Sequence, residues 1–307
     1  MNNKSHSVNN SAENKNVSRL VKAFRGMQEG LQPYSDVPKG MFGRVAIIKS
    51  GGVTINSEEL DVEFTTKFDD DFEANEAEII VYNLSKTTRE AFKYGNAITI
   101  EAGYKNDTGV IFDGKVVKVT TKKDGNDLKT TIKAFDFMSG TGEDVTDLTF
   151  KAGTKASYIL KNLLERTSNL PIAVFSVRRD HTYKEETKIS GDVSEHIKKY
   201  AEVCGISVYV NNGKVYARHI SEGDNINFNV SEETGLIDSP EEFEEEIQAE
   251  DYKDVVKGYK FKMLLHHQLT TAAIINLTSN YVNGKFRVRS GTHTFNESEA
   301  VTEVEVI

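Results

Sequence analysis

Glu78-Ile79-Ile80-Val81-Tyr82-Asn83-Leu84-Ser85-Lys86-Thr87-Thr88-Arg89-Glu90-Ala91-Phe92 changes its period in mid-course, and with its continuation to Thr121 it decides the fold. An apolar run through Tyr82 gives way to a short capped helix predicted over residues 83–92. Two alternating strands follow, 97–104 and 109–121, joined by Lys105-Asn106-Asp107-Thr108. A helix set between strands of a small antiparallel barrel carries no catalytic signature. It predicts a building block whose work is shape and assembly.

Working outward, residues 41–142 read almost purely as strand: 42–49, 60–67, 76–83, 97–104, 109–121 and 127–136. Val62 and Phe64, Ile98 and Ile100, and Val117 and Val119 alternate with polar neighbours, as half-buried strands do. Lys123-Asp124-Gly125-Asn126 joins two long strands as a hairpin. Six strands with short links predict a closed or nearly closed barrel.

Residues 143–218 change character. Gly153-Thr154 opens a helix with the stripe Ile159, Leu160, Leu163 and Leu164, and a second helix over 192–204 turns Val193, Ile197, Tyr200 and Ala201 inward before stopping at Gly205. Asn211-Asn212-Gly213 marks a tight hairpin. This is a small α+β insert. From 219 to 307 strand character returns, with Asn283-Gly284 as another hairpin and the clean alternation 301–306 as a closing strand. Residues 1–40 form an arm, polar to about Asn16, then carrying Leu20, Phe24 and Met27 at helical spacing; such a short helix needs a surface to bury against. The organisation is therefore arm, barrel (41–142), insert (143–218), barrel region (219–307).

The 307 residues carry 38 basic and 47 acidic side chains, net −9, with 38% hydrophobic and 28% charged content. Phosphate-tracking proteins draw their affinity from Lys and Arg, so specific nucleic-acid binding is not expected. No apolar run approaches the length of a membrane span, and Met1-Asn2-Asn3-Lys4-Ser5-His6 lacks the apolar core of a secretory signal. The lone Cys204 cannot form an internal disulfide or a thiolate cluster and fits a reducing compartment. Between Asn229 and Asp254 stand eleven carboxylates against a single Lys253, read as a solvated edge or a surface that repels polyanions.

Chemistry-bearing motifs are missing from the sequence: no Gly-x-x-x-x-Gly-Lys-Ser/Thr, no Gly-x-Gly-x-x-Gly and no Gly-x-Ser-x-Gly occurs. His266 and His267 are adjacent, so on a strand they face opposite sides and make no metal pair. His181 and Glu185 fall in a loop. Asp69, Asp70 and Asp71 lack the spacing of a calcium loop and read as a hairpin tip. No catalytic, cofactor or metal residues are assigned, and no enzymatic activity is expected.

In this layout the chain resembles the baseplate hub proteins of bacteriophage tails, which are related to the tube-like part of type VI secretion spike proteins. The resemblance is carried by Ile80-Val81-Tyr82-Asn83-Leu84-Ser85 leading into the helix, by Gly103-Tyr104, by Ile111-Phe112-Asp113-Gly114-Lys115-Val116 and by Ile132-Lys133-Ala134-Phe135-Asp136. Val193-Ser194-Glu195-His196-Ile197 with Tyr209-Val210-Asn211-Asn212-Gly213-Lys214 is similar to the family's insert. Gly235-Leu236-Ile237-Asp238-Ser239-Pro240 and Gly284-Lys285-Phe286-Arg287-Val288 are similar to its second barrel. The resemblance implies a mainly β fold with two tail-tube-like antiparallel barrels flanking the α+β module. It further implies a homotrimer whose six barrels form a pseudo-sixfold ring. That ring would join a hexameric tail tube to a spike or tail-tip protein and meet tape-measure and other baseplate proteins, in a virion assembled in the host cytoplasm. Leu20, Phe24, Met27, Asp69, Asp70, Asp71, Asp124, Asn126, Glu241, Glu242, Glu244, Glu245 and Glu246 are the candidate inter-subunit or luminal residues. The alternatives are a tail-associated cell-wall hydrolase, which lacks a nucleophile or metal constellation here, and a carbohydrate-binding β module, disfavoured by the lack of Trp.

Overall fold

In this computed structural model, residues 41, 43–136, 145–167, 170–249 and 252–307 are described. The first half contains β1 (Arg44–Ser50), β2 (Val53–Asn56), β3 (Val62–Phe68), β4 (Glu76–Tyr82), α1 (Lys86–Arg89), β5 (Ala97–Tyr104), β6 (Asp107–Asp124) and β7 (Asp127–Phe135). All of its pairings are antiparallel, in the order β3-β4-β7-β6-β5-β1-β2. The sheet curls until β1 and β3 share one apolar core of Ile48, Phe64, Ile79, Ile98, Ile100 and Ile132. The expected helix over 83–92 is a single turn. Ser85 caps it by accepting from Thr88 N at 3.1 Å, and two β-branched threonines follow. Its flanks Leu84, Ala91 and Phe92 plug the core instead. The link between β5 and β6 is two residues rather than four, because β6 already pairs from Asp107. β2 escaped the sequence reading, being only four residues behind the positive-φ turn Gly51-Gly52.

Within the insert, β8 (Val145–Phe150) pairs with β10 (Thr187–Gly191), and β9 (Ile172–Phe175) runs parallel to β12 (Lys214–Arg218), which pairs with β11 (Ser207–Asn211). The helices α2 (Ala156–Thr167) and α3 (Val193–Cys204) pack on these strands through Ile159, Leu160, Leu163, Leu164, Ile197 and Tyr200. Asp192 caps α3 by accepting from Ser194 N at 2.7 Å. Gly205 ends it in the left-handed conformation that a Cβ would strain.

The second half contains β13 (Asp224–Val230), β14 (Glu241–Ala249), β15 (Tyr252–Leu264), β16 (Ala273–Thr278), β17 (Asn283–Phe295) and β18 (Ala300–Val306). Its order, β14-β15-β18-β17-β16-β13, repeats the first half strand for strand: β3, β4, β7, β6, β5 and β1 correspond to β14, β15, β18, β17, β16 and β13. The correspondence extends to register. β6 and β7 slip between Val116 and Lys118, and β17 and β18 slip at the matching place between Val288 and Ser290. Aligned on that bulge, Ile98, Ile100, Ile79, Val81 and Ile132 meet Ile275, Leu277, Phe261, Met263 and Val304, all buried, and the buried Thr130 meets Thr302. One rung departs: β13 and β16 are parallel, whereas β1 and β5 are antiparallel.

The halves are not separate sheets. β3 pairs antiparallel with β17 over Phe68↔Gly291 to Phe64↔Phe295, so one strand path runs through both, with β2 and β14 at its ends. The Phe64 and Phe295 rings stack across this junction at 5.4 Å, and Gly291 lies so near Phe68 that an added Cβ would come within 2.4 Å of its ring.

Candidate assembly surfaces

Asp69, Asp70 and Asp71 lie on the link between β3 and β4, as the hairpin-tip reading expected, but Asp70 does not offer an assembly surface. Its side chain is 10% exposed and pairs with Arg287 Nη1 at 2.8 Å and Arg289 Nε at 3.5 Å. The reason is that the link is drawn inward: Thr271 Oγ1 donates to Asp69 O at 2.9 Å, while Phe72 and Ala74 pack on the insert core. Burial, with the neighbouring Asp71 carboxylate, pushes Asp69 up to about 7. Asp71 alone of the three is exposed. A second clasp stands beside it. Arg218 donates to Tyr209 Oη at 2.6 and 2.9 Å and forks onto both Asp224 oxygens at 2.7 and 3.1 Å. That hydrogen bonding holds Asp224 below its usual range. Tyr209 and Arg218 belong to the insert, Asp224 and Arg287 to the second half and Asp70 to the first, so charged residues gather where three modules meet.

His266 and His267 follow the end of β15 rather than lying on it, so the opposite-sides expectation fails. Off the strand the two rings stack at 5.1 Å, with Asp107 Oδ2 3.4 Å from His266 Nε2 and Asp107 Oδ1 3.7 Å from His267 Nδ1. Burial outweighs that carboxylate and lowers His266 to about 4. Deeper in, His293 contacts Thr302 Oγ1 through Nδ1 at 2.9 Å and is lowered to about 3 by burial. Among the described residues no group of three His, Cys, Asp or Glu side chains could hold a metal ion, and no helix is long and apolar enough to cross a membrane. Cys204 is buried, and burial pushes its thiol up to about 11, away from the thiolate that reactivity requires.

Asp124 and Asn126 are exposed at the tip of the β6–β7 hairpin. The flank of that hairpin carries a feature that net charge concealed. Lys118 and Lys133 are directly opposite, as are Lys122 and Lys129, with Thr120 and Thr131 between them on the same face. Like charges so placed repel. Lys133 is offset by Glu76 at 2.5 Å and Lys129 lies over the Tyr82 ring at 5.8 Å, while Lys118 and Lys122 are exposed. The period-2 spacing of these lysines in two consecutive strands was the available signal. Glu241, Glu242, Glu244, Glu245 and Glu246 all lie on β14, whose sole described strand neighbour is β15. Glu241 and Glu242 are exposed, and Glu244 pairs with Lys257. Leu20, Phe24 and Met27 lie outside the described residues.

A family model described as baseplate hub gp41 matches residues 43–293. The chain belongs to that family. Membership makes it a tail-baseplate protein, and the match runs from before β1 through the insert into β17. No curated protein matches in sequence. Solved structures share the fold at low identity. The tail protein of Neisseria meningitidis MC58 aligns with TM-score 0.61 and 10% identity over 86% of this chain and 96% of that one. The 43 kDa tail protein of prophage MuSo2 from Shewanella oneidensis gives 0.57 and 10%, over 86% and 97%. The E. coli c3393 protein, a type VI secretion component described as structurally similar to T4 tail proteins gp27 and gp5, gives 0.57 and 8%, over 85% and 76%. This chain is mainly β, as the resemblance implied, and these neighbours share its fold.

Proposed function

We propose that this hub protein is a structural, non-enzymatic ring component of the virion tail. Three copies present six similar β units that adapt a hexameric tail tube to a threefold spike or tail tip. The observation that carries the reading is the duplicated strand order with its matching bulge in the two halves. Two like units in one polypeptide let a threefold assembly imitate sixfold symmetry, the mismatch such an adaptor must bridge. In the same reading 41–142 and 219–307 are the two units and 143–218 is a peripheral module. Partners are the tube protein, the spike or tip, and the tape-measure protein. Acidic carboxylates along the channel would let nucleic acid pass without adhering. Light scattering on the full chain, alone and with its tube protein, checks this: a trimer is expected, and a stable dimer under both conditions would refute it.

A further inference from the structure

The duplicated strand order makes one pairing inside the chain and leaves its counterpart unmade. β3 has a strand on each side, β4 and β17. Its counterpart β14 has only β15 among the described residues. On the other side of the junction, β17 stops pairing with β16 at Arg287, and its segment 291–295 is covered by β3. The counterpart segment of β6, 119–123, lies beyond the end of its pairing with β5 at Lys115; the last bonds on that edge join Val116 to Gly95 and Asn96. Past them, among the described residues, β6 has β7 on one side and no strand on the other. Among the described residues, one chain thus carries an unpaired donor strand and an unpaired acceptor edge that match a pair already joined within it.

We propose that β14 of one copy adds antiparallel to the free edge of β6 in the next copy, in the register of the β3–β17 junction. This proposal rests on the trimeric-ring reading. Carrying the internal register Gly291↔Phe68, Thr292↔Lys67, His293↔Thr66, Thr294↔Thr65 and Phe295↔Phe64 across the alignment sets the pairs between copies. They are Val119 with Glu244, Thr120 with Phe243, Thr121 with Glu242, Lys122 with Glu241 and Lys123 with Pro240. Extended by one residue, Lys118 falls opposite Glu245. Lys118 and Lys122 therefore fall opposite glutamates of β14, while Lys123 falls opposite Pro240, and the internal register imposes this match. The repulsion between facing lysines on the β6–β7 hairpin is relieved by this strand. Pro240, which has no N–H to donate, sits at the end of the ladder, where a missing donor costs least.

The same charges discourage wrong pairing. A bare edge invites any other edge, and natural sheets blunt it with charge. Two β14 strands repel each other and two β6 edges repel each other, so each is left with the other as partner. A head-to-tail contact of this kind closes when its rotation divides a circle. With three copies, internal β17–β3 junctions alternate with β6–β14 junctions, six around the ring.

The test uses the full chain with Lys122→Cys and Glu241→Cys together, the native Cys204 being buried. Oxidation should yield covalent dimers and trimers on a non-reducing gel, while either single variant yields none. Separately, Lys122→Glu or Glu241→Lys should lower the association constant roughly two- to thirtyfold, and the exchanged pair in one chain should restore it. A trimer that forms but neither cross-links nor responds to charge reversal overturns this junction and leaves the ring reading standing. A chain that never trimerises, with or without its tube protein, overturns both.

Discussion

One rung of the ladder occurs twice and has two fates. In the first half Thr121 faces Thr130, their hydroxyls 3.2 Å apart; in the second His293 faces Thr302, with Nδ1 2.9 Å from the hydroxyl. Thr130 and Thr302 are both fully buried. Their partners differ because of what lies beyond. His293 is sealed by Thr66 of β3, whereas Thr121 stands on an edge with no further strand among the described residues and stays partly exposed. The same backbone position is core in one half and rim in the other. Burial here is decided by edge-to-edge pairing, and the local sequence only has to be compatible with it.

The sharpest way to break this comparison is at the internal junction. Arg287→Ala leaves Asp70 buried beside Arg289 alone, and should cost about 3–5 kcal/mol in denaturant unfolding. A loss under 1 kcal/mol would mean that the modules do not depend on this clasp. Next come Ile98→Ala and Ile275→Ala, matched positions that are both fully buried. Each should cost about 2–5 kcal/mol, and markedly unequal losses would show that the halves share an order without sharing packing.

A pH difference sharpens it further. His293 titrates near 3 when folded and near 6.5 when unfolded, so below 6.5 the unfolded chain binds the extra proton. Its contribution to stability is therefore lost as pH falls from 6.5 towards 3. Relative to His293→Gln, the parent chain should lose about 2 kcal/mol between pH 7 and pH 5. The variant is needed as reference because Asp69, raised to about 7, works in the opposite sense over the same range. If the two chains keep parallel pH profiles, His293 is not sealed as described. The smallest effect belongs to the open rung: Thr121→Val should cost about 1 kcal/mol in the unassembled chain, because it removes the hydroxyl that the buried Thr130 faces.

Alternation made the strands legible. Val62 and Phe64, or Ile98 and Ile100, could only be placed as they are, since period 2 puts such residues on one face. The cap at Asp192 and the stop at Gly205 were likewise local matters of backbone hydrogen bonding, and so was the Asn-Gly hairpin. What escaped was non-local. The three aspartates at 69–71 look like a solvated tip in sequence, yet Asp70 meets Arg287 from 217 residues away. His266 and His267 are a strand pair on paper and a stacked pair in space, because β15 ends before them. The lysines of β6 and β7 could have been found by spacing, but their opposition depends on the bulge after Val116.

Composition, turn chemistry and period by themselves determined a mainly β chain with a helical insert, since those signals arise within a few residues and need no distant partner. Only the tertiary structure decided that the halves repeat one strand order, that β3 closes on β17, and which edges remain open. Those outcomes depend on pairing between segments hundreds of residues apart, where hydrogen bonds are the same for any sequence and the choice falls to register, burial and charge.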